Sequence, residues 1–207
     1  MKLAIHAKII CTDGETGHLS RIILHPDTDE VTHIVVKWQH QEYVLPISHI
    51  VHSPTEQIEL NCTQEFLQKQ PKFVETDYVR VPEEHQLYLP DYSYFRPYTT
   101  MEMYPVKHDN VPDGELAIKR GMRVFVKDES DPVGRVDELV VAQKNHRITH
   151  MVLREGHLWG EKEVVISVSH IKDMDKDGVY LRMTKGQVTA LPAIPLKHSL
   201  GQRVLGS

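Results

Sequence analysis

The feature that most constrains the fold of this chain is an internal repeat. Residues 17–24 and 31–37 recur as residues 134–141 and 148–154, with a constant spacing and no gap between the blocks. Two copies are too few for a solenoid, in which several repeats must stack before they are stable. The repeat therefore predicts two tandem domains of similar fold, each of which buries its own hydrophobic core.

The two copies also differ in loop length. Before residue 17, Asp13 aligns with Asp128 at a spacing two positions smaller than that of the blocks above. Residues 44–50 align with 165–171, and 58–60 align with 179–181, at a spacing four positions larger than that of the earlier blocks. Loops tolerate insertions because their backbone is solvated. The four extra residues of the second copy therefore belong to a surface loop, which the alignment places within residues 155–164.

Each copy has the pattern of short β-strands. Residues 31–36 are mostly β-branched, as is typical of strands. The turn residues at 26–29 have a counterpart at 144–146. Five or six strands per copy, with almost no helical periodicity, predict an all-β fold of two small barrels, since closure removes exposed strand edges.

The pattern divides the chain into four parts. We predict a first barrel in residues 1–63, a connector in 64–117, a second barrel in 118–185 and a tail in 186–207. The connector is rich in proline and tyrosine and holds most of the aromatic residues of the chain. Disordered linkers are poor in aromatic residues, so we expect the connector to pack onto a barrel.

The charge and hydropathy of the chain narrow the class of protein. The formal net charge is −5, and residues 118–185 are only mildly basic, with 13 Lys and Arg against 11 Asp and Glu. Neither copy shows the clustered positive charge that phosphate binding needs, which disfavours nucleic acid without excluding it. The sequence has no apolar run long enough to span a bilayer and no secretory signal at its start, so a cytoplasmic protein is expected.

Several segments together resemble the PRC-barrel family. They are residues 13–17 and 31–36 in the first copy, and 133–138, 148–160 and 179–182 in the second. Residues 113–121 and 190–195 resemble a tandem form of the family that is found mostly in bacterial proteins. The resemblance implies two tandem PRC-type barrels, joined by an aromatic and proline-rich connector and containing little helix.

What the resemblance implies about function is limited to binding. Related barrels occur in the H subunit of photosynthetic reaction centres and at the carboxyl terminus of a ribosome maturation factor, and both dock onto other macromolecules. We therefore expect a non-catalytic interaction or scaffold module with a protein partner; homo-oligomerisation is left open. The alternatives are an RNA-associated or ribosome-assembly factor acting through the second barrel, and a histidine-based metal or pH sensor.

No motif in the sequence predicts catalysis. The chain lacks a nucleophile elbow, a phosphate-binding loop and a dinucleotide fingerprint, so we expect no enzyme activity, no cofactor and no metal. Two segments are candidates for partner binding, because exposed aromatic and cationic side chains often anchor interfaces. They are the long loop of the second copy and the tyrosine-rich part of the connector, with candidate residues His157, Trp159, Lys162, Tyr92, Tyr94, Phe95 and Arg96. In the alternative interpretation, both segments cover the protein's own hydrophobic surface.

The fourteen histidines invite a metal hypothesis. His33 and His150 are equivalent in the repeat, as are His49 and His170. There is no Cys-x-x-Cys pair, and a metal site would need several histidines to converge on one point. We expect structural or surface roles.

The remaining candidates are aspartates and cysteines. Asp173, Asp175 and Asp177 have the spacing of the first ligands of a calcium-binding loop. However, the flanking residues have the pattern of strands, and the bidentate glutamate at the twelfth position is missing. We expect a tight acidic turn. Cys11 and Cys62 align with apolar residues of the second copy, which predicts buried packing.

Overall fold

The computed structural model describes residues 1–54, 56–80, 103–155 and 162–194. Within these ranges strands dominate, and the α-helices are two short ones, α1 (Gln64–Gln68) and α2 (Lys185–Thr189). The prediction of a mostly β fold with little helix is confirmed. None of the helices in these ranges has the length and apolarity to cross a membrane.

Seven strands form the amino-terminal sheet. Numbered along the chain, they are β2 (Lys8–Cys11), β3 (Gly14–His25), β4 (Glu30–Trp38), β5 (Gln41–Pro46), β6 (Ile50–His52), β7 (Gln57–Leu60) and β10 (Leu116–Lys119). Their order is β5-β4-β3-β2-β7-β6, and β10 pairs with the second half of β3. The β2–β7 pair is parallel and the others are antiparallel.

Eight strands form the carboxy-terminal sheet. They are β1 (Lys2–Ala4), β11 (Arg123–Phe125), β12 (Gly134–Val141), β13 (Ile148–Glu155), β14 (Lys162–Ser167), β15 (Ile171–Met174), β16 (Gly178–Leu181) and β17 (Ala193–Ile194). Their order is β15-β16-β11-β12-β13-β14-β17, and β1 pairs with β12. The strands predicted around residues 31–36 and 148–153 are confirmed. A separate hairpin joins β8 (Val74–Arg80) to β9 (Met103–Asp109).

The two sheets exchange one strand in each direction. Strand β1 comes from the start of the chain, yet Leu3 lies opposite Leu139 in the carboxy-terminal sheet. Strand β10 precedes the second copy, yet Ile118 lies opposite Ile22 in the amino-terminal sheet. Leu3 and Ile118 hold the same position in the repeat, as do Ile22 and Leu139. Each sheet is therefore completed by the first strand of the other copy.

The chain crosses between the sheets at two equivalent positions. The N–H of His6 donates to the carbonyl of Leu19, and the N–H of Gly121 donates to that of Val136, both at 2.8 Å. Both crossing residues have positive φ, 96° for His6 and 81° for Gly121. This backbone conformation is costly for a residue with a Cβ, so the crossover is more strained at His6 than at Gly121.

A second reciprocal contact joins the β3–β4 turn to the β12–β13 turn. The N–H of Val31 donates to the carbonyl of His146 at 2.9 Å, and the N–H of Ile148 donates to that of Asp29 at 2.8 Å. The repeat relates Val31 to Ile148 and Asp29 to His146. This exchange of equivalent contacts is the pattern of a two-fold symmetric interface, here within one chain.

The hydrophobic core is continuous across both sheets. One cluster contains Leu3, Leu19 and Ile34 together with Leu139 and Leu153, all nearly inaccessible to solvent. The expectation that each copy buries a separate core is wrong. The repeat identifies equivalent strands, but it does not say to which sheet each first strand is joined, and the exchanged strands link the two interiors.

Candidate interaction surfaces

The aspartate that recurs in both copies has a structural role. Both carboxylate oxygens of Asp13 accept from the N–H of Gln64, at 3.0 and 3.1 Å. Asp128 accepts from the N–H of Lys185 at 3.0 Å. Gln64 and Lys185 are the first residues of α1 and α2, where backbone N–H groups lack helical partners. The recurring aspartate therefore fixes a short helix to the start of its copy.

The equivalent histidines also make equivalent local contacts. His33 Nδ1 lies 3.0 Å from the hydroxyl of Thr32, and His150 Nδ1 lies 3.1 Å from that of Thr149. His33 also lies 3.8 Å from the carboxylate of Glu115. Among the residues that the structure describes, no three metal-ligating side chains come together. These two histidines therefore make local contacts, and the described ranges hold no metal cluster.

The acidic segment after β15 is a tight turn, as predicted. The carboxylate of Asp175 accepts from the N–H of Asp177 at 2.8 Å and from that of Gly178 at 3.0 Å. The N–H of Asp175 donates to the carbonyl of Gly178 at 3.0 Å. The carboxylate of Asp175 therefore satisfies two backbone N–H groups of the turn.

Both cysteines are buried and unoxidised, which confirms the packing role. Burial, followed by the neighbouring Cys11 thiol, raises the pKa of Cys62 to about 12. A thiol with so high a pKa is almost entirely protonated at neutral pH, so it is a poor nucleophile. The pair fills the core of the amino-terminal sheet.

Of the seven candidate contact residues, only Lys162 falls within the described ranges. Its Nζ donates to the carbonyl of Thr189 at 2.8 Å, which ties the start of β14 to the end of α2. A cation at the end of a helix is favourable because the last carbonyls lack helical donors. The other candidates lie outside the described residues: His157, Trp159, Tyr92, Tyr94, Phe95 and Arg96.

Three basic residues of the second copy lie close to carboxylates. Arg120 Nε lies 2.6 Å from Asp137, and Arg154 lies 3.2 Å from the same carboxylate and 3.5 Å from Glu163. Lys185 pairs with a third carboxylate, that of Glu129, at 2.9 Å. These ion pairs engage Arg120, Arg154 and Lys185 with carboxylates of the same copy.

Exposed apolar side chains mark a surface of the first copy that the sequence reasoning missed. Val51 is 50% exposed and Phe66 is 40% exposed. The Phe66 ring lies 5.2 Å from the ring of His49. The repeat-equivalent residues in the second copy are Lys172 and Gln187. Comparison of the copies at these two positions could have revealed this surface, which we call the Val51–Phe66 surface.

A cleft of about 330 Å³ lies between the copies. Asp27 and Asp29 line it from the first copy, and Lys172, Asp173 and Arg182 line it from the second. Burial raises the pKa of Asp29, although Arg147 opposes the effect. Because the lining carries both signs of charge, it favours neither an anion nor a cation.

Comparison with known proteins agrees with the resemblance in the second copy. The family model described as the PRC-barrel domain matches residues 120–188. A PRC-barrel domain is thus found at residues 120–188, and domains of this family are general interaction and assembly modules. The match leaves residues 1–63 outside it. No curated protein matches the chain.

Proposed function

We propose that this protein is a non-catalytic interaction module that presents two PRC-type barrels, as one rigid body, to a protein partner. The observation that carries the proposal is the reciprocal strand exchange between the two sheets. Because β1 and β10 each complete the other copy's sheet, neither copy can reorient without breaking strand pairing. Two surfaces held at a fixed separation bind a matching partner more tightly than either surface alone.

The asymmetry between the copies supports a partner that contacts the first one. Val51 and Phe66 are exposed and apolar where the second copy has Lys172 and Gln187. If fold stability alone determined which residues occupy these positions, we would expect similar residues in both copies. Exposed apolar side chains that form a continuous patch with a polar rim are typical of protein contacts.

The pairing of the cations favours a protein over RNA. Arg120, Arg154 and Lys185 lie within ion-pair distance of carboxylates, so phosphate binding would require these pairs to break. Polyanion affinity depends on the number of cations available to neutralise phosphates.

The test is affinity capture with the full chain as bait, followed by lysine-directed crosslinking. Lys69 lies on the same helical segment as Phe66, so its crosslinks report on the Val51–Phe66 surface. The test variant combines Val51→Lys with Phe66→Gln, which gives the first copy the residues of the second. The control variant is Val106→Lys, which removes an apolar side chain of comparable exposure, 37%, from the β8–β9 hairpin.

We expect one dominant partner that crosslinks at Lys69, is lost with the test variant and is retained with the control. Retention of the partner by both variants would show that the Val51–Phe66 surface is not the contact. A nucleic acid that copurifies with the chain and leaves it in high salt would favour the RNA-associated alternative.

A further inference from the structure

The outer face of the carboxy-terminal sheet carries three adjacent valines. Val140, Val152 and Val165 alternate with core residues along β12, β13 and β14, so they lie on the face opposite the continuous core. Val152 is only 5% exposed, yet it does not belong to that core. Val140 and Val165 are half-buried. We call this the outer valine face.

In the amino-terminal sheet, a later part of the chain covers the equivalent face. Ile23, Val35 and Val44 form a second hydrophobic cluster with Phe73, which is fully buried. Partly buried Val111 also packs there. In the first copy, this face is therefore covered by an apolar segment of the same chain, which follows the adjoining short helix.

The backbone after each helix follows the same path. After α1, Lys72 bridges to Tyr43 on β5. After α2, Ala193 pairs with Val164 on β14, which is the equivalent contact. Ile194 thus occupies the register position of Phe73, so the chain reaches the edge of the outer valine face at the last residue that the structure describes.

We propose that residues 195–200 cover the outer valine face. Leu196 and Leu200 are the apolar residues of this segment. An extended chain of six residues spans about 20 Å, whereas three adjacent strands span about 10 Å, so the segment has the length to cross β14, β13 and β12. Contact with leucines would remove the exposed part of Val140 and Val165 from water, which is favourable in proportion to the area buried.

The charges around the face fit this occupant. Residues 195–207 contain Lys and Arg but no Asp or Glu. Glu138 lies on the same side of the sheet as the valines, and Glu163, also on that side, is already paired with Arg154 at 3.5 Å. Glu138 Oε1 is buried and has no hydrogen-bond partner in the described part of the chain, where its closest cation is Lys2 at 3.8 Å. A buried carboxylate oxygen needs a donor, and a cationic segment supplies donors.

The test uses the full chain with the photoreactive residue p-benzoylphenylalanine in place of Leu196. The control carries the same residue in place of Leu205, in the same tail but beyond the proposed contact. We expect the residue at position 196 to crosslink within the chain to peptides that contain Val140 or Val165. Val140→Lys should abolish the crosslink, and it is a mild change because Val140 is only half-buried.

A second measurement uses unlabelled chains. Leu196→Ser with Leu200→Ser should lower the melting temperature and increase binding of a hydrophobic dye, whereas Val204→Ser with Leu205→Ser should do neither. The proposal is overturned if position 196 crosslinks no more than position 205, if its products join two chains, or if both pairs of substitutions have the same effect. No partner takes part in these measurements, so they fail or succeed independently of the proposed function.

Discussion

Truncation of Leu3 is the substitution that probes the strand exchange most sharply. Leu3 lies on β1, far in sequence from the sheet that this strand joins. Here its side chain is fully buried in the continuous core, opposite Leu139 of the other copy. Leu→Ala at fully buried sites costs about 2.7–5 kcal/mol, from the lost transfer free energy and the cavity that remains. We expect Leu3→Ala to fall within that range.

This cost is large compared with a total stability of roughly 5–15 kcal/mol for a typical domain. For a chain of this size, about 2–4 °C of melting temperature is lost per kcal/mol. The assay is equilibrium unfolding in urea, followed by hydrogen exchange resolved to peptides. Because Leu3 packs in the carboxy-terminal sheet, the amides of β12 near Leu139 should lose protection, although they are far away in sequence.

Lys2→Ala is the matched control on the same strand. The Lys2 side chain is 57% exposed, and its ion pair with Glu138 spans 3.8 Å. A pair of this kind contributes about 0–1 kcal/mol. The reasoning is refuted if Leu3→Ala costs no more than Lys2→Ala, or if its loss of protection is confined to residues 1–54.

Three further outcomes follow from particular contacts. A Cβ on Gly134 would lie 2.6 Å from the carbonyl oxygen of Arg154, so Gly134→Ala should lower the unfolding free energy by about 1–3 kcal/mol in urea titrations. The control is Gly186→Ala, at an exposed position where nothing lies within 4 Å of the added Cβ. Thr184 closes a capping box at the start of α2, so Thr184→Ala should cost about 1 kcal/mol by thermal unfolding, while an unchanged melting curve would show that the helix needs no cap. Burial, with Asp137 and Glu163 adding to it, raises the pKa of Glu138 above its ordinary 4.5, so Glu138→Gln should stabilise the protein near pH 7. The sign follows because only the ionised form is disfavoured in the folded state: the gain should shrink as the pH falls and vanish below 4.5, and a pH-independent difference would contradict this cause.

The strands and turns could be predicted from the sequence because local pattern determines them. The β-branched run at residues 31–36 and the turn residues at 26–29 act through their own backbone preferences, whatever they contact. Comparison of the copies gave further information. Cys11 and Cys62 align with apolar residues, and burial of both is what the structure shows.

The strand exchange could not be predicted in this way. Leu3 and Ile118 have the same pattern and the same partners in the repeat, so the sequence is equally compatible with pairing within a copy and between copies. The choice depends on the crossing points at His6 and Gly121, where the backbone turns away from its own sheet. Periodicity does not report on such long-range connections.

The contact residues predicted from the sequence stay a prediction. The sequence analysis placed candidate contact residues, most of them aromatic, in the long loop and the connector. Lys162 is the only one of these candidates in the described ranges. Val51 and Phe66 were missed because single apolar residues carry no motif. Their exposure emerges only when the strand and helix that hold them are placed against the sheet.

The most direct test of the strand exchange is the pattern of cross-strand nuclear Overhauser effects in the full chain. Pairing between the copies predicts backbone contacts from Leu3 to Leu139 and from Ile118 to Ile22. Pairing within each copy would instead give contacts from Leu3 to Ile22 and from Ile118 to Leu139. Observation of the first pair of contacts supports a single body built by reciprocal exchange, and observation of the second pair contradicts it.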